Sequence, residues 1–274
     1  MLWIKDDTAI DYEICGEGIP LVMLHGWGVD RRILSGPMEL LFSNGLTGFQ
    51  RIYIDLPGMG KSKAGAHIKS SDDMLEALFG LLGDILPGQR YLVMGESYGG
   101  YLARGMVSQR ASQIAGMVLL CPAVIPGYRT GRVEPLHVME KDEAFLETLG
   151  EAERKSFELM NVILTEQVWN RYKADIYDAV LHQNLHFLNE VLDGAFSFDA
   201  DKLKEPFAAP CLIIAGKQDT EVGYRDQFDL MENYTNSTYI ALNRAGHNLQ
   251  IEQPKLLTAM ISNWLKDNMK SFES

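Results

Sequence analysis

The chain has 274 residues, 46% of them hydrophobic and 23% charged, enough to bury a substantial core in one large domain or two small ones. Thirty-seven acids against 25 bases give a net charge of −12, which argues against nucleic acid or a membrane surface as partner, since both ask for clustered positive charge. Gly and Pro, at 25 and 10 residues, are near ordinary usage, so collagen-like repetition and low-complexity disorder are excluded.

Residues 2–14 are polar and strand-like and predict a hairpin at one edge of a sheet. The strand candidates that follow are PLVMLH (20–25), RIYID (51–55), RYLVMG (90–95), IAGMVLLC (114–121), CLIIAG (211–216) and STYIAL (237–242). Their near-continuous apolar character suits strands covered on both faces. Ser70-Ser-Asp-Asp73 resembles a capping box, and Met74, Leu75, Leu78, Leu82, Ile85 and Leu86 then share one helical face until Pro87-Gly88 stops it. Pro254 suits the first turn of a last helix, with Leu256, Leu257, Met260, Ile261, Trp264 and Leu265 as its apolar face. This alternation predicts an α/β fold with a doubly wound, mostly parallel sheet.

The rhythm breaks once. Over 126–206 no strand pattern appears, and 9 bases against 16 acids give a local balance of −7. The segment reads as an all-helical insertion, a lid, between two parts of one core (1–125 and 207–274). Its expected buried positions are Phe145, Leu146, Leu149, Phe157, Leu159, Met160, Trp169 and Tyr172.

Three cysteines (Cys15, Cys121, Cys211) are far apart and never paired as CxxC, which predicts buried free thiols in a reducing compartment. The chain opens on strand-like sequence without a basic stretch before an apolar one, and no apolar run approaches the roughly 18 residues of a membrane span. A cytoplasmic location is the expectation, and two glycosylation sequons at Asn233 and Asn236 carry no weight.

The chemistry sits at strand ends. Gly95-Glu96-Ser97-Tyr98-Gly99 is a G-x-S-x-G pattern between a strand and a helix, the setting that lifts a serine hydroxyl above the sheet. A serine nucleophile needs a base and an orienting acid. His247 follows the strand STYIAL and Asp219 follows CLIIAG, so both lie at the carboxyl edge where open α/β sheets place their sites. The backbone N–H groups of Trp27, in His25-Gly-Trp-Gly28, and of Tyr98 are the candidate oxyanion donors. His25 is assigned to fixing its loop, while the Trp27 indole is left open between core packing and a pocket wall. His182 and His186 are spaced i, i+4 but lack the Glu of a zinc-protease motif, so no metal is implied. Asp55-Leu-Pro-Gly-Met-Gly-Lys-Ser62 ends like a phosphate-binding loop but has Asp55 where that motif needs Gly; Asp55 reads as a turn-fixing residue.

Taken together, LHGWG (24–28), DLPGMGKS (55–62), GESYGG (95–100), GKQD (216–219) and AGHNLQIEQP (245–254) resemble the α/β-hydrolase superfamily over nearly the whole chain. The resemblance implies Ser97 as nucleophile, His247 as base, Asp219 as acid, no cofactor and a small-molecule substrate. Haloalkane dehalogenases and epoxide hydrolases are set apart by their nucleophilic Asp, and proline iminopeptidases by H-G-G-P-G. The HGWG loop is similar to that of the pimeloyl methyl ester carboxylesterases, although a lid of charge −7 opposes an acidic carrier protein. The expected activity is serine hydrolysis of a small carboxylic ester or thioester. Carbon–carbon bond cleavage by the same trio, and a ligand sensor with little turnover, are the alternatives.

Overall fold

The computed structural model describes residues 1–124, 132–133, 135–192 and 196–272. The expected junction near 126 and parts of the predicted insertion (126–131, 134 and 193–195) lie outside the described residues.

Among the described residues an eight-stranded sheet has the order β1-β2-β4-β3-β5-β6-β9-β10. Strands β1 (Leu2–Lys5) and β2 (Thr8–Cys15) form the predicted edge hairpin, and β2 continues antiparallel onto β4. The remaining neighbours, β3 (Ile19–Leu24), β4 (Phe49–Ile54), β5 (Tyr91–Glu96), β6 (Ile114–Leu120), β9 (Cys211–Gly216) and β10 (Ser237–Leu242), are all parallel. Every residue of β5, β6 and β9 is buried, which is why these runs carry no polar alternation. The other edge differs from expectation: β10 is only partly covered, and only Leu242 in it is buried.

Helices α1 (Arg32–Ser43), α2 (Ser71–Ile85) and α3 (Tyr98–Arg110) connect the early strands. The capping box forms as expected: Ser70 Oγ accepts from the Asp73 amide, and Asp73 Oδ2 accepts from the Ser70 amide at 2.9 Å. Helix α3 runs through the middle of the molecule and buries even Arg104, whose guanidinium bonds Asp201 and the Ala123 carbonyl.

Between β6 and β9 the chain leaves the sheet. It forms α4 (Glu143–Leu146), α5 (Glu151–Glu158), α6 (Glu166–Tyr172) and α7 (Asp178–His182), with a π-helical turn at Lys173–Tyr177 joining the last two. A second π turn spans Phe187–Val191. The insertion is not wholly helical: β7 (Glu140–Lys141) and β8 (Ile163–Leu164) pair in parallel over two residues each. So short a ladder leaves no periodic signature. Its core is aromatic, with Phe157 at 5.3 Å from Trp169 and 5.4 Å from Tyr172 between ring centroids. Leu159, expected inside, is 65% exposed. Two short helices, α8 (Arg225–Asp229) and α9 (Leu249–Glu252), precede the terminal α10 (Pro254–Phe272). On α10 the expected face is buried at Leu257, Ile261, Trp264 and Leu265, while Leu256 is exposed. Of the cysteines, Cys121 and Cys211 are buried and Cys15 is half-buried; all three are free thiols.

Candidate active site

The parallel strands end in step. Leu24 pairs with Gly95, Glu96 with Leu120, Leu120 with Ile214 and Gly216 with Leu242. The loops after β3, β5, β6, β9 and β10 therefore open on one edge of the sheet, as ligand sites in open α/β sheets do.

Ser97 occupies the single residue between β5 and α3, with φ 52° and ψ −115°. A non-glycine residue holds such a conformation only where its surroundings over-determine it. Here the Ser97 amide donates to the Leu120 carbonyl at 3.0 Å, and its own carbonyl accepts from the Gly100 and Ala123 amides at 3.0 and 2.9 Å. A Cβ on Gly95 would strike the backbone of Gly99 and Gly100, and one on Gly99 the Leu24 carbonyl, so the bend needs glycine on both sides.

Asp219 lies in the loop after β9. Its Oδ1 accepts from the amides of Glu221 and Val222 at 2.8 and 3.0 Å, which aims Oδ2 at His247 Nδ1, 2.9 Å away. With the Nδ1 proton committed to that carboxylate, Nε2 of the neutral ring presents its lone pair to Ser97 Oγ at 3.0 Å. Three residues 150 and 28 positions apart in sequence thus meet in one hydrogen-bonded line.

The electrostatics follow from burial and charge. Burial alone disfavours the His247 imidazolium, but the Asp219 carboxylate, with smaller contributions from Glu96 and Glu221, outweighs it and lifts the ring to about 9. Burial pushes Asp219 up, and the His247 charge and hydrogen bond and the two amides more than reverse that, leaving it below its ordinary value. Cys121 Sγ lies with these two groups inside a 4.8 Å cluster. Burial drives its thiol well above the usual range, which opposes the thiolate that a metal would require. The cluster is suited to moving a proton rather than to holding an ion.

The other candidates are placed as follows. His25 is wholly buried, its Nδ1 2.8 Å from the Gly26 carbonyl and its Nε2 accepting from the Leu56 amide at 2.9 Å, so it fastens one loop to another. Trp27 does both of the things left open: it packs edge-on against Tyr98 at 5.2 Å and lines the cavity above Ser97. Tyr98 opens α3, so its N–H is one of the donors that a helix leaves without an internal partner. Asp55 accepts from the Arg31 and Lys61 amides at 3.0 and 2.9 Å and fixes its turn. His182 and His186 turn to Asp178 and Glu190 rather than to each other.

Two buried residues went unnoticed in the sequence. Glu252 accepts from the Gly246 amide at 2.6 Å through Oε2 and from the Val162 amide at 2.6 Å through Oε1. It therefore ties the residue before His247 to the insertion. Burial pushes its carboxyl up to about 7, against those amides. Beside it Asn248 Nδ2 donates to Asn161 Oδ1 at 3.0 Å. Glu96 is the other, and its carboxyl lies beside the His247 ring on its Nε2 edge, 3.6 Å from that atom. The signal for both is weak: Glu96 follows an apolar strand and Glu252 sits between Ile251 and Gln253, and neither setting marks an acid as buried.

Above Ser97 lies a cavity of about 500 Å³. The core contributes Trp27, Val29, Ile33 and Tyr98, and the insertion contributes Leu159, Met160, Tyr172, Ile176, Val180 and Phe196. Tyr172, Ile176 and Val180 recur every fourth residue through the π turn, whose extra residue per turn keeps them facing one way. Besides Ser97 and His247, polar positions are few: Ser156, Gln183, Asn248 and the acids Glu96 and Glu221. Among the described lining residues none is Lys or Arg.

Strand order, inserted segment and strand-edge site together define an α/β hydrolase. A profile of the alpha/beta hydrolase family matches residues 21–260, and the chain belongs to that family. It is similar to a pimeloyl-[acyl-carrier protein] methyl ester esterase of Nitrosomonas europaea, 37% identical over 113 residues that cover 41% of this chain and 41% of that protein. It is also similar to the biotin biosynthesis bifunctional protein BioHC of Teredinibacter turnerae, 25% identical over 90% of this chain and 44% of that protein. The match spans less than half the length of each of these two relatives. Among solved structures, an alpha/beta superfamily hydrolase from Oenococcus oeni matches over 100% of both chains, with 28% identity and a TM-score of 0.85. No described helix is long and apolar enough to cross a membrane.

Proposed function

We propose that this chain is a serine hydrolase that cleaves a small, uncharged carboxylic ester or thioester through an acyl-enzyme on Ser97. The observation that carries the reading is the continuous line from Ser97 Oγ to His247 Nε2 at 3.0 Å and from His247 Nδ1 to Asp219 Oδ2 at 2.9 Å, at the floor of an apolar cavity. In the first step Oγ attacks the ester carbonyl while its proton passes to Nε2. The oxyanion of the tetrahedral intermediate is received by the Trp27 and Tyr98 amides. His247 then gives its proton to the departing alcohol, and water repeats the sequence to release the acid. Asp219 stays ionised and holds the ring in the tautomer that leaves Nε2 free.

The lining supports an uncharged acyl group. Glu96 and Glu221 would repel a free carboxylate, and no Lys or Arg among the described lining residues would receive it. The segment 126–206 acts as the lid over this pocket, and its charge of −7 favours a free small ester over one carried on an acidic protein. Three free cysteines fit a reducing, cytoplasmic setting.

The test is Ser97→Ala assayed on p-nitrophenyl esters of graded acyl length. Turnover is expected to fall by about 10⁴-fold or more, with the thermal midpoint little changed. A Ser97→Ala protein that keeps hydrolysing the same esters sinks the assignment.

A further inference from the structure

The mechanism above leaves one buried acid without a task. Glu96 closes β5 immediately before Ser97 and is 1% exposed. Its Oε1 is 3.6 Å from His247 Nε2, on the edge of the ring that faces the serine. Its Oε2 is buried without a hydrogen bond of good geometry, although the carboxyl forms part of the cavity wall. The space is kept for it: a Cβ on Gly26 would strike the carboxylate, so the middle residue of His25-Gly26-Trp27 has to be glycine for the acid to sit there. Buried acids without partners are unfavourable, and this one is placed against the atom that gains a proton.

We propose that Glu96 is a positioning residue for His247, a second carboxylate that acts on the Nε2 side of the ring opposite Asp219. The proposal rests on the reading of Ser97 as nucleophile. As Oγ bonds to the carbonyl carbon, its proton moves to Nε2, and the new imidazolium lies between two carboxylates instead of one. Glu96 takes no proton in this step; its negative charge stabilises the positive one. The same charge has an opposite effect on the resting protein, because it makes His247 harder to deprotonate before the reaction starts.

The surroundings decide the pH range. Glu96 is faced by His247 from the loop after β10, by Asp219 from the loop after β9, by Cys121 after β6 and by the Gly26 amide after β3. Glu221 adds a charge on His247, and Glu252 lies within reach of Asp219. His25, next to Gly26, is kept below its usual value by burial. Burial pushes Glu96 up to about 7; the His247 charge works against this and Asp219 with it. Above that pH the acid is ionised and His247 carries its proton up to about 9. The pair therefore titrates jointly, and the active form, with the ring neutral, gains population on the alkaline side.

The experiment is the pH course of Ser97 labelling by a fluorophosphonate, with the site of attachment mapped by mass spectrometry. Glu96→Gln keeps the shape and removes the charge. The midpoint of the acid limb is expected to move down by about one unit or more, and the plateau rate to fall several-fold. Glu96→Asp, which keeps a charge at the same backbone position, is expected to hold the limb nearer that of the unsubstituted protein. A limb that stays in place in Glu96→Gln, with the label still on Ser97, overturns the proposal and leaves the nucleophile intact. Absence of label from Ser97 in the unsubstituted protein overturns the proposed function instead. If Glu96→Gln does not fold, the unsubstituted protein decides: its limb must require two coupled ionisations, and a single one at the ordinary histidine value overturns the proposal.

Discussion

The strand-end loops and the insertion face each other across one cavity, yet they are built on different principles. On the sheet side each group of the proposed trio is placed by backbone: Ser97 by a bend that only glycine neighbours permit, Asp219 by two amides, His247 by the loop that β10 delivers. On the insertion side the wall is placed by side chains packed on one another, with Phe157, Trp169, Tyr172 and Tyr177 forming a small aromatic core of their own. Backbone placement is precise and changes little with sequence elsewhere. Side-chain packing is adjustable, because exchanging one ring or aliphatic group reshapes the wall without touching the reaction.

If that division holds, a blow to the insertion should spare the chemistry. Phe157→Ala empties the centre of the aromatic cluster, where the ring is wholly buried. Truncating a buried Phe costs about 3–5 kcal/mol, and the loss should fall on the insertion. Urea unfolding is expected to gain an early transition, while a small phosphonate still labels Ser97. A single transition displaced as a whole, with labelling lost in parallel, would mean that sheet and insertion fold as one unit and that the contrast is false.

The same division explains what could be read from sequence. The motif around Ser97, the acid after CLIIAG and the histidine after STYIAL are local signals whose meaning depends only on a strand coming before them, and continuous apolar runs reveal the strands. The insertion gave no comparable handle. Its two-residue strands have no period, and its π turn shifts the apolar spacing to four, so Tyr172, Ile176 and Val180 did not register as a face. Leu159, just past the end of α5, and Leu256, on α10, differ from expectation for a related reason: an apolar residue in or beside an amphipathic helix is expected inside unless the three-dimensional partner is known to be missing. Glu96 and Glu252 give no signal of their own, because an acid beside Ser97 or beside Gln253 is equally consistent with a turn to solvent.

Glu252 is where the two regions are joined, so it sharpens the comparison. Its two oxygens hold Gly246 on the His247 side and Val162 on the insertion side. In Glu252→Gln one end of the side chain becomes a donor facing an amide N–H, and one of the two bonds is lost. The expected loss of stability is about 1–3 kcal/mol, the cost of leaving a buried donor unsatisfied. Turnover should drop by about tenfold with KM little altered, because the disturbed partner is the proposed base rather than the pocket wall. Urea titration beside kcat and KM separates the cases. Reduced stability with unchanged kcat would show that the carboxylate serves packing alone.

The smallest effect probes the outer rim of the wall. Leu159 borders the cavity and is 65% exposed, so Leu159→Ser removes apolar surface from the path of a long acyl chain and almost none from the folded core. At about 25 cal/mol per Å², a few tens of Å² correspond to less than about 1 kcal/mol, or a few-fold in affinity. KM for octanoyl esters is expected to rise by about that factor, with acetyl esters and the rate of Ser97 labelling unaffected. The graded response matters more than its size. A rise shared equally by short and long esters would place Leu159 in the catalytic geometry rather than along the chain, and no rise at any length would send the acyl group along another wall of the cavity. Either result would transfer the choice of substrate from the insertion to the sheet side, where backbone leaves little room to adjust it.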